Sequence, residues 1–315
     1  MYLKSSFGRV YYEVHGPDDH SRSAADPGSR AVAGSAAARP EPLTVLFAYG
    51  VTMDHRTFAS QVDALKGRFR VVCLDLPGHG RSDRVDLKGP YSSRAANAIN
   101  EVLDALGAKR VVLVGQSLGS TLCQRAASES QDRVVGSVHV GGASLYPRFS
   151  PLLRLVKPAV FLSITLFPRK PLYELFAAHK ALKPHTRAYL REVVSAAGKT
   201  LILRLTLDML RDMTVGIPRR LDHPMLICYG DHEAGFVKRL CRTWRDAQPN
   251  SSLEVIGDAH HIANQDNPSA FNELLIRFLG SVDGAAISRP HRPEAGARPA
   301  AAARGSVSPA DQAAP

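Results

Sequence analysis

Short, nearly continuous apolar runs recur along the chain, and most of them end in glycine. They lie at residues 43–50, 70–80, 110–119, 133–142 and 224–231. Runs of Val, Leu and Ile with this length and boundary are typical of parallel strands that are buried on both faces of a sheet. Residues 9–14 predict one further strand, which pairs with residues 1–5 in an early hairpin.

Helical patterns separate these runs. In residues 94–106 the apolar residues recur at the spacing of one helix face, and Gly107 follows as a C-terminal cap. Because predicted strands and helices alternate along the chain, we expect a doubly wound, mostly parallel α/β sheet.

Residues 147–220 interrupt this alternation. The segment holds no apolar run that ends as a strand in glycine, and prolines divide it into three helix-like parts. We interpret it as a helical cap inserted between two strands of the sheet. Within it, residues 158–168 are strongly apolar. They either line a hydrophobic substrate tunnel or pack the cap onto the core, and packing is the favoured interpretation.

Two further segments lack apolar periodicity. Residues 17–42 and 281–315 are rich in Ala, Pro, Gly and Ser, a composition that cannot offset the entropy of ordering the chain. We therefore predict a disordered insert and a disordered tail, and one folded domain within residues 1–280. No apolar run approaches the roughly 20 residues that span a bilayer, and the first residues lack the apolar core of a secretory signal. These observations predict a soluble, cytoplasmic protein without stable membrane insertion.

Positive charge is concentrated in the predicted cap. The chain carries a formal net charge of +11, and residues 147–220 contribute +10 of it, from 14 Lys and Arg against 4 Asp and Glu. We interpret this excess as a solvated basic surface; attraction of an acidic substrate, an anionic membrane surface or nucleic acid are the alternatives. Because the sequence contains no RNA-binding aromatic motif, zinc finger or helix-turn-helix pattern, nucleic acid is not an expected partner.

The four cysteines carry no metal-binding pattern. They are Cys73, Cys123, Cys228 and Cys241, with no Cys-x-x-Cys pair and no His cluster at metal-ligand spacing. Cys73 and Cys228 lie in apolar runs, where a reduced cysteine behaves as a small hydrophobe. We expect no metal, no cofactor and no structural disulfide.

The sequence Gly115-Gln116-Ser117-Leu118-Gly119 joins an apolar run to a helical pattern. Gly-x-Ser-x-Gly alone is a weak signal, but between a strand and a helix it predicts a sharp turn that exposes a reactive serine. Gly115 and Gly119 leave room for that turn. The helix N-terminus beside the hydroxyl favours developing negative charge. Ser117 is therefore the candidate nucleophile.

A serine nucleophile needs a base, and the base needs an orienting acid. Residues 258–268, in a loop late in the chain, offer two bases, His260 and His261. Asp231 and Glu233 lie at and just after the end of the apolar run at residues 224–231. The order serine, acid, histidine is the one found in hydrolases with a Gly-x-Ser-x-Gly turn.

With these motifs the chain resembles the α/β-hydrolase superfamily, in its capped, serine-nucleophile, esterase-like branch. Residues 74–83 (LDLPGHGRSD) are similar to the family's Asp-x-x-Gly-x-Gly-x-Ser turn, and residues 259–272 (AHHIANQDNPSAFN) to its His-x-x-x-x-Glu-x-Pro segment. The resemblance covers residues 1–16 and 43–280. It implies the α/β-hydrolase fold, with a doubly wound, mostly parallel sheet and an inserted helical cap.

The resemblance also selects among the candidate residues. The family's spacing from histidine to proline selects His261, seven residues before Pro268, over His260. The acid of relatives lies three residues after the glycine that ends the strand, which selects Glu233 where most relatives have aspartate. Asp231 is the reserve acid.

The resemblance implies an oxyanion hole made by the backbone N–H groups of Val51 and Leu118. Relatives have His-Gly directly before the first of these positions, whereas this chain has Tyr49-Gly50. A backbone donor survives that change.

Other polar residues beside these motifs have structural interpretations. Asp54 and His55 are candidate substrate contacts, and a helix N-cap is the favoured role of Asp54. His139, inside a predicted strand, is expected to be a packed core residue. The turn after the second long apolar run is expected to be held by Asp75, His79, Ser82 and Asp83.

These residues predict a cofactor-free carboxylic-ester hydrolase, in which Ser117 attacks a small acyl substrate with His261 as base and Glu233 orients that base. The alternatives are a C–C bond hydrolase, a lactonase or an acyltransferase on the same triad, and a non-catalytic binding protein on this scaffold. The serine argues against haloalkane dehalogenases and epoxide hydrolases of this fold, whose covalent intermediate requires a carboxylate. The basic, apolar cap favours a substrate with a hydrophobic acyl part and an acidic group. The oligomeric state is not predicted.

Overall fold

The computed structural model describes residues 1–17, 42–84 and 89–287 of the chain. Residues 18–41 of the predicted insert and most of the predicted tail lie outside these ranges. The tail was expected to begin at residue 281, but the last helix continues to Ile287. Val282 is buried there and continues the apolar face of that helix, which is why the helix extends further than the composition suggests.

Eight strands of the described chain form one sheet. They are β1 (Tyr2–Ser5), β2 (Gly8–His15), β3 (Thr44–Ala48), β4 (Arg70–Leu74), β5 (Val111–Gln116), β6 (Val134–Val140), β7 (Met225–Gly230) and β8 (Ser251–Ile256). Their order across the sheet is β1-β2-β4-β3-β5-β6-β7-β8. The predicted hairpin of β1 with β2 is antiparallel, as is the pair of β2 with β4, and all other pairs are parallel.

The centre of the sheet is buried on both faces. Every residue of β3, β5 and β7 is buried. Their continuous apolar sequences predicted this environment, because a parallel strand covered on both sides has no polar face. At the edge of the sheet, β8 is only partly buried.

Nine α-helices occur in the described chain. They are α1 (Ala59–Leu65), α2 (Tyr91–Ala105), α3 (Leu118–Glu129), α4 (Lys157–Leu166), α5 (Arg169–Lys180), α6 (Pro184–Val215), α7 (Gly235–Ala247), α8 (Ala263–Asp266) and α9 (Pro268–Ile287).

Helices cover both faces of the sheet. A side chain at Gly136 of β6 would point at Phe278 and Val282 of α9, 3.2 Å away. His139, three positions further along β6, instead packs against Trp244 of α7, with ring centroids 4.6 Å apart. Because successive residues of a strand point to opposite faces, α7 and α9 lie on opposite sides of the sheet. The predicted doubly wound architecture is confirmed.

The segment between β6 and β7 is helical, as its prolines and lack of strand pattern indicated. It contains a short 3-10 helix (Pro151–Val156) followed by α4, α5 and α6. Pro151 and Pro184 lie in the first turns of their helices, where the missing N–H of proline has no intrahelical partner to lose. We call residues 147–220 the helical insert.

Of the apolar residues 158–168, only Ile164 packs against the core, and it is partly buried. Helix α4, which contains most of them, has no buried residue and contacts chiefly α6 of the same insert. None of these side chains lies at the pocket beside Ser117 either. The packing interpretation therefore holds for Ile164 alone, and the interpretation as a lining of the substrate pocket is wrong. Apolar composition indicates a preference for burial, but it does not identify the surface against which burial occurs.

In the part of the chain that the structure describes, no single helix is long and apolar enough to cross a membrane. The pair Pro151–Leu166 and Arg169–Lys180, bent by 119°, passes by length and composition only when its two parts are counted together. All four cysteines are buried thiols. Within the described ranges no group of three or more His, Cys, Asp and Glu side chains is arranged to hold a metal ion.

Candidate active site

Ser117 lies in a strained turn between β5 and α3. Its backbone has φ 54° and ψ −114°, a conformation that residues with a side chain rarely adopt. A Cβ at Gly115 would lie 2.5 Å from the carbonyl oxygen of Gly119, and a Cβ at Gly119 would overlap the carbonyl of Ala48. Two glycines are thus required for the chain to reverse direction beside β3, as the sequence predicted. The strain lifts the Ser117 hydroxyl to the carboxyl end of the sheet.

His261 meets this hydroxyl from the loop after β8. Its Nε2 lies 2.9 Å from Oγ of Ser117. The Gln116 side chain holds the loop in place by donating to the carbonyl of His261 at 3.0 Å. Burial lowers the pKa of His261 below its ordinary value, and the positive charge of Lys180 lowers it further. The imidazole is therefore neutral at neutral pH and can accept a proton.

Glu233 orients His261 from the turn after β7. Its Oε2 lies 2.6 Å from Nδ1 of His261, and its Oε1 accepts a hydrogen bond from the backbone N–H of Ala234 at 2.8 Å. Burial alone would raise the pKa of this carboxyl, but hydrogen bonding and attraction to His261 hold it below the ordinary value. An ionised acceptor on Nδ1 fixes the tautomer that leaves Nε2 free to accept from Ser117.

The two competing residues lie elsewhere. Asp231, the reserve acid, is exposed and accepts from the backbone N–H of Ala259 at 3.0 Å. His260 turns its Nδ1 back to accept from the backbone N–H of His261 at 2.8 Å. Neither contacts Ser117 or the imidazole of His261, so the geometry favours Glu233 and His261.

Two backbone donors flank the serine. The loop after β3 lies against it, because a Cβ at Gly50 would be 3.2 Å from Cβ of Ser117. Val51 lines the pocket at this point. Leu118 begins α3, so its N–H has no intrahelical acceptor. Within the described ranges neither N–H donates to a protein acceptor, which leaves both free for a developing oxyanion.

Tyr49, at the position where relatives have histidine, points away from the pocket. It is fully buried, and its hydroxyl accepts a hydrogen bond from the backbone N–H of Leu76 at 2.5 Å. Its ring packs edge-on against His79. Tyr49 thus joins the loop after β3 to the turn after β4.

A pocket of about 210 Å³ opens beside Ser117. The sheet side of its lining is formed by Gly50, Val51, Met53, Gln116, Ser117, His261 and Ile262; the helical insert contributes Phe176, Lys180, Thr206 and Met209. The lining is mostly apolar, with Lys180 as its cation. In the described chain the ammonium of Lys180 forms no hydrogen bond and no ion pair. Burial lowers its pKa, against the opposing charge of Glu233.

Sequence reasoning missed the pocket residues of the insert. Phe176 and Lys180 lie one turn apart near the end of α5, and nothing in the local sequence shows that this side of the helix faces the pocket. It also missed Asp266, which accepts backbone N–H groups from His260, Leu182 and Lys183 at 2.8 to 2.9 Å. This buried carboxylate ties the loop of His261 to the insert. Its place in the His-x-x-x-x-Glu-x-Pro pattern was the available signal.

The remaining polar residues have largely the structural roles that were predicted. Asp54 caps the 3-10 helix His55–Phe58 by accepting from the backbone N–H of Arg56 at 3.1 Å. His55 faces Asp75, at 2.9 Å, and does not line the pocket of Ser117.

Asp75 is the centre of the turn after β4. This buried carboxylate also accepts from the backbone N–H of Arg81 at 2.8 Å. The hydroxyl of Ser82 donates to the Asp75 carbonyl at 2.6 Å, and Asp83 at the rim pairs with Arg9. His79 is buried against Tyr91 and has its pKa lowered to about 4 by burial.

His139 belongs to a buried hydrogen-bonded chain. Its Nδ1 lies 2.9 Å from Oγ of Ser120, in the first turn of α3, and its Nε2 lies 2.9 Å from Oγ of Ser137. Ser137 continues the chain to Nε2 of His223 at 2.8 Å. This chain fastens the start of α3 to β6, which supports the prediction of a packed core histidine.

Comparisons with known proteins agree with this architecture. Residues 25–274 match the alpha/beta hydrolase family, and the chain belongs to that family. A thermophilic esterase from Thermogutta terrifontis superposes with a TM-score of 0.71 at 19% sequence identity, covering 90% of this chain and 98% of the esterase. At this identity the likeness shows the fold.

Two curated relatives are similar in sequence. The 2-hydroxy-6-oxononadienedioate/2-hydroxy-6-oxononatrienedioate hydrolase of Paraburkholderia phymatum is 27% identical over 71% of this chain and 81% of its own length. The dihydrolipoyllysine-residue acetyltransferase component of the acetoin cleaving system of Cupriavidus necator is 28% identical over 75% of this chain. The chain spans 63% of the length of that component.

Proposed function

We propose that this hydrolase-family protein is a serine hydrolase that cleaves a carboxylic ester, or a related acyl bond, of a small substrate. The observation that carries the proposal is the continuous contact from Ser117 through His261 to Glu233, at 2.9 and 2.6 Å. A nucleophile, a neutral base and an ionised orienting acid in line are the requirements of acyl transfer through a covalent intermediate.

The residues support a two-stage reaction. Ser117 Oγ bonds to the acyl carbon while His261 Nε2 takes its proton, and the carbonyl oxygen becomes an oxyanion held by the N–H groups of Val51 and Leu118. The bond from the acyl carbon to the leaving oxygen then breaks, and His261 gives the proton to that oxygen. The product leaves as an alcohol, and the acyl group remains on Ser117 as an ester. Water attacks that ester, His261 takes the water's proton and returns it to Ser117, and the acid is released.

The pocket supports a substrate with an apolar part and an acidic group. Phe176 and Met209 offer apolar surface, and the ammonium of Lys180 gains an anionic partner when a substrate carboxylate binds. The relative from Paraburkholderia phymatum is named for hydrolysis of a dicarboxylate. Similarity to this relative makes hydrolysis of a C–C bond by the same three residues the second candidate reaction. Analysis of the products distinguishes it from ester cleavage.

The proposal is tested by the intact mass of the protein after treatment with a small fluorophosphonate. We expect one adduct on the wild type and none on Ser117→Ala, because only an activated serine reacts. Ser163→Ala, which removes an exposed hydroxyl on α4, is the matched control and should label like the wild type. Absence of labelling on folded wild-type protein would contradict an activated Ser117. If the wild type is labelled, a panel of esters then measures the hydrolytic activity.

A further inference from the structure

The helical insert presents a large apolar surface to solvent. We call it the apolar face, and its main side chains are Leu152, Leu155, Phe161, Leu162, Leu166 and Phe167. Leu155 is 74% exposed, Leu166 is 71% exposed and Leu152 is 70% exposed. The 3-10 helix and α4, which carry all but Phe167, contain no buried residue. Contiguous apolar surfaces of this kind are rare on proteins that have no partner there, because water must order around them.

The charged residues in the segment that carries the apolar face have one sign. Between residues 147 and 170 the chain has five basic side chains and no acidic one. These are Arg148, Arg154, Lys157, Arg169 and Lys170. In the described chain none of the five forms an ion pair, whereas Arg191 and Arg204, further along the insert, pair with Glu174 and Asp208. The apolar face is thus bordered by cations without anionic partners.

The shape of the insert suits contact with a membrane surface and does not suit a helix that spans the bilayer. Helix α4 ends at Leu166, and α5 departs at 119° to the preceding helical part. An apolar helix that is too short to span a bilayer, with cations beside it, lies in the headgroup region, where its apolar side chains reach the acyl chains. Its cations then meet anionic lipid phosphates.

The apolar face is connected to the pocket by one helix. Arg169 at the start of α5 is exposed beside the face, and Lys180 at its end lines the pocket of Ser117. A helix of 12 residues is about 18 Å long. A surface bound at the face therefore lies within a short distance of the pocket.

We propose that the apolar face binds the surface of an anionic lipid bilayer. The apolar side chains supply burial, and the five unpaired cations give the preference for anionic lipid. The inference stands on exposure and charge and is independent of the chemistry at Ser117.

Flotation of the full chain with lipid vesicles tests the proposal. We expect binding to vesicles of phosphatidylcholine mixed with phosphatidylglycerol, weaker binding to phosphatidylcholine alone, and release by salt because the phosphate contacts are screened. Replacing two cations, as in Arg169→Gln with Lys170→Gln, should weaken binding on the order of tenfold. Equal binding to the two kinds of vesicle, or no binding to either, would overturn the proposal.

Two sets of glutamate substitutions test whether vesicle binding requires the apolar face or any exposed apolar side chain. Leu155→Glu with Leu162→Glu places anions in the apolar face and should abolish flotation. Val255→Glu is the control, because Val255 is also exposed, at 52%, but lies on β8 outside the insert. Both variants change only exposed positions, and their circular dichroism should match that of the wild type. If the control lost binding equally, the face would not be the binding surface.

A second copy of the chain is the competing occupant. Light scattering of the wild type and of the Leu155→Glu, Leu162→Glu variant in the absence of lipid measures it. A wild-type monomer that floats with anionic vesicles supports the proposal. A wild-type dimer that the variant splits, together with no vesicle binding, would overturn it in favour of self-association.

Discussion

The triad and the apolar face represent two ways in which one chain uses its apolar residues. Ser117, His261 and Glu233 stand at the carboxyl ends of sheet strands, and hydrogen bonds hold their segments there, such as that of the Ala234 N–H to Glu233. The outer part of the insert, by contrast, contains no fully buried residue. Burial of its apolar residues makes the sheet rigid, and this rigidity positions the reacting atoms. The insert leaves its own apolar residues available for contact with other molecules.

The largest effect should come from breaking the rigid side of this comparison at its acid. Glu233→Gln keeps the shape but offers His261 a neutral partner, so we expect kcat to fall by about 10²- to 10⁴-fold. Asp231→Asn is the matched control, since Asp231 does not contact the imidazole, and it should alter kcat by less than a few-fold. Steady-state kinetics on the best ester measures both. A larger loss in Asp231→Asn would make the reserve acid the orienting group.

The next largest effect should be on the free energy of unfolding, which we expect to respond differently to the same substitution in the two regions. Leu113 of β5 is fully buried, so Leu113→Ala should lower the free energy of unfolding by about 2–5 kcal/mol. Leu155→Ala removes the same atoms from a residue that is 74% exposed and should stay within about 0.5 kcal/mol of the wild type. Urea unfolding followed by the fluorescence of Trp244, the single tryptophan, reports both values. Similar losses would mean that the apolar face is covered in solution.

A smaller effect should identify the contribution of the insert to substrate choice. Lys180→Met removes the cation of the pocket while keeping an apolar stem, so we expect KM for an anionic ester to rise about tenfold. The KM for a neutral ester of similar size should not change. Lys183→Met is the control, because Lys183 pairs with Asp258 and does not line the pocket. Equal changes for both esters would show that Lys180 does not bind a substrate anion.

Sequence reasoning reached the fold because the relevant signals are local. A strand buried on both faces must be apolar along its length, and a turn as tight as that at Ser117 needs glycine at two fixed positions. The same locality explains the placement of Ser117 and Glu233, since each follows a strand that the pattern identified. His261 follows β8, which is only partly buried and left no continuous apolar run in the sequence. Parallel strands place their carboxyl ends at one edge, so order along the chain becomes proximity in space.

The environment of residues in the insert could not be predicted, because it depends on contacts between distant parts of the chain. Whether Leu162 is buried and whether Lys180 faces the pocket depend on how helices dock, and no local rule fixes that. Residues 158–168 have the composition of a core segment, yet they lie on the outside. When a helix is apolar on all sides, its sequence has no separate polar face, and the side that packs against the protein cannot be predicted from it.

The buried chain from Ser120 through His139 to His223 sets a limit on the acidity that the fold tolerates. Burial lowers the pKa of His139 to about 3 and that of His223 to about 4, so both imidazoles are neutral in the folded protein. In the unfolded chain they gain protons once the pH falls below about 6.5. From there downward, each histidine favours the unfolded chain by up to about 1.4 kcal/mol per pH unit, until its own folded pKa is reached. The residues that anchor the start of α3 thus make this protein labile to acid, whatever its substrate.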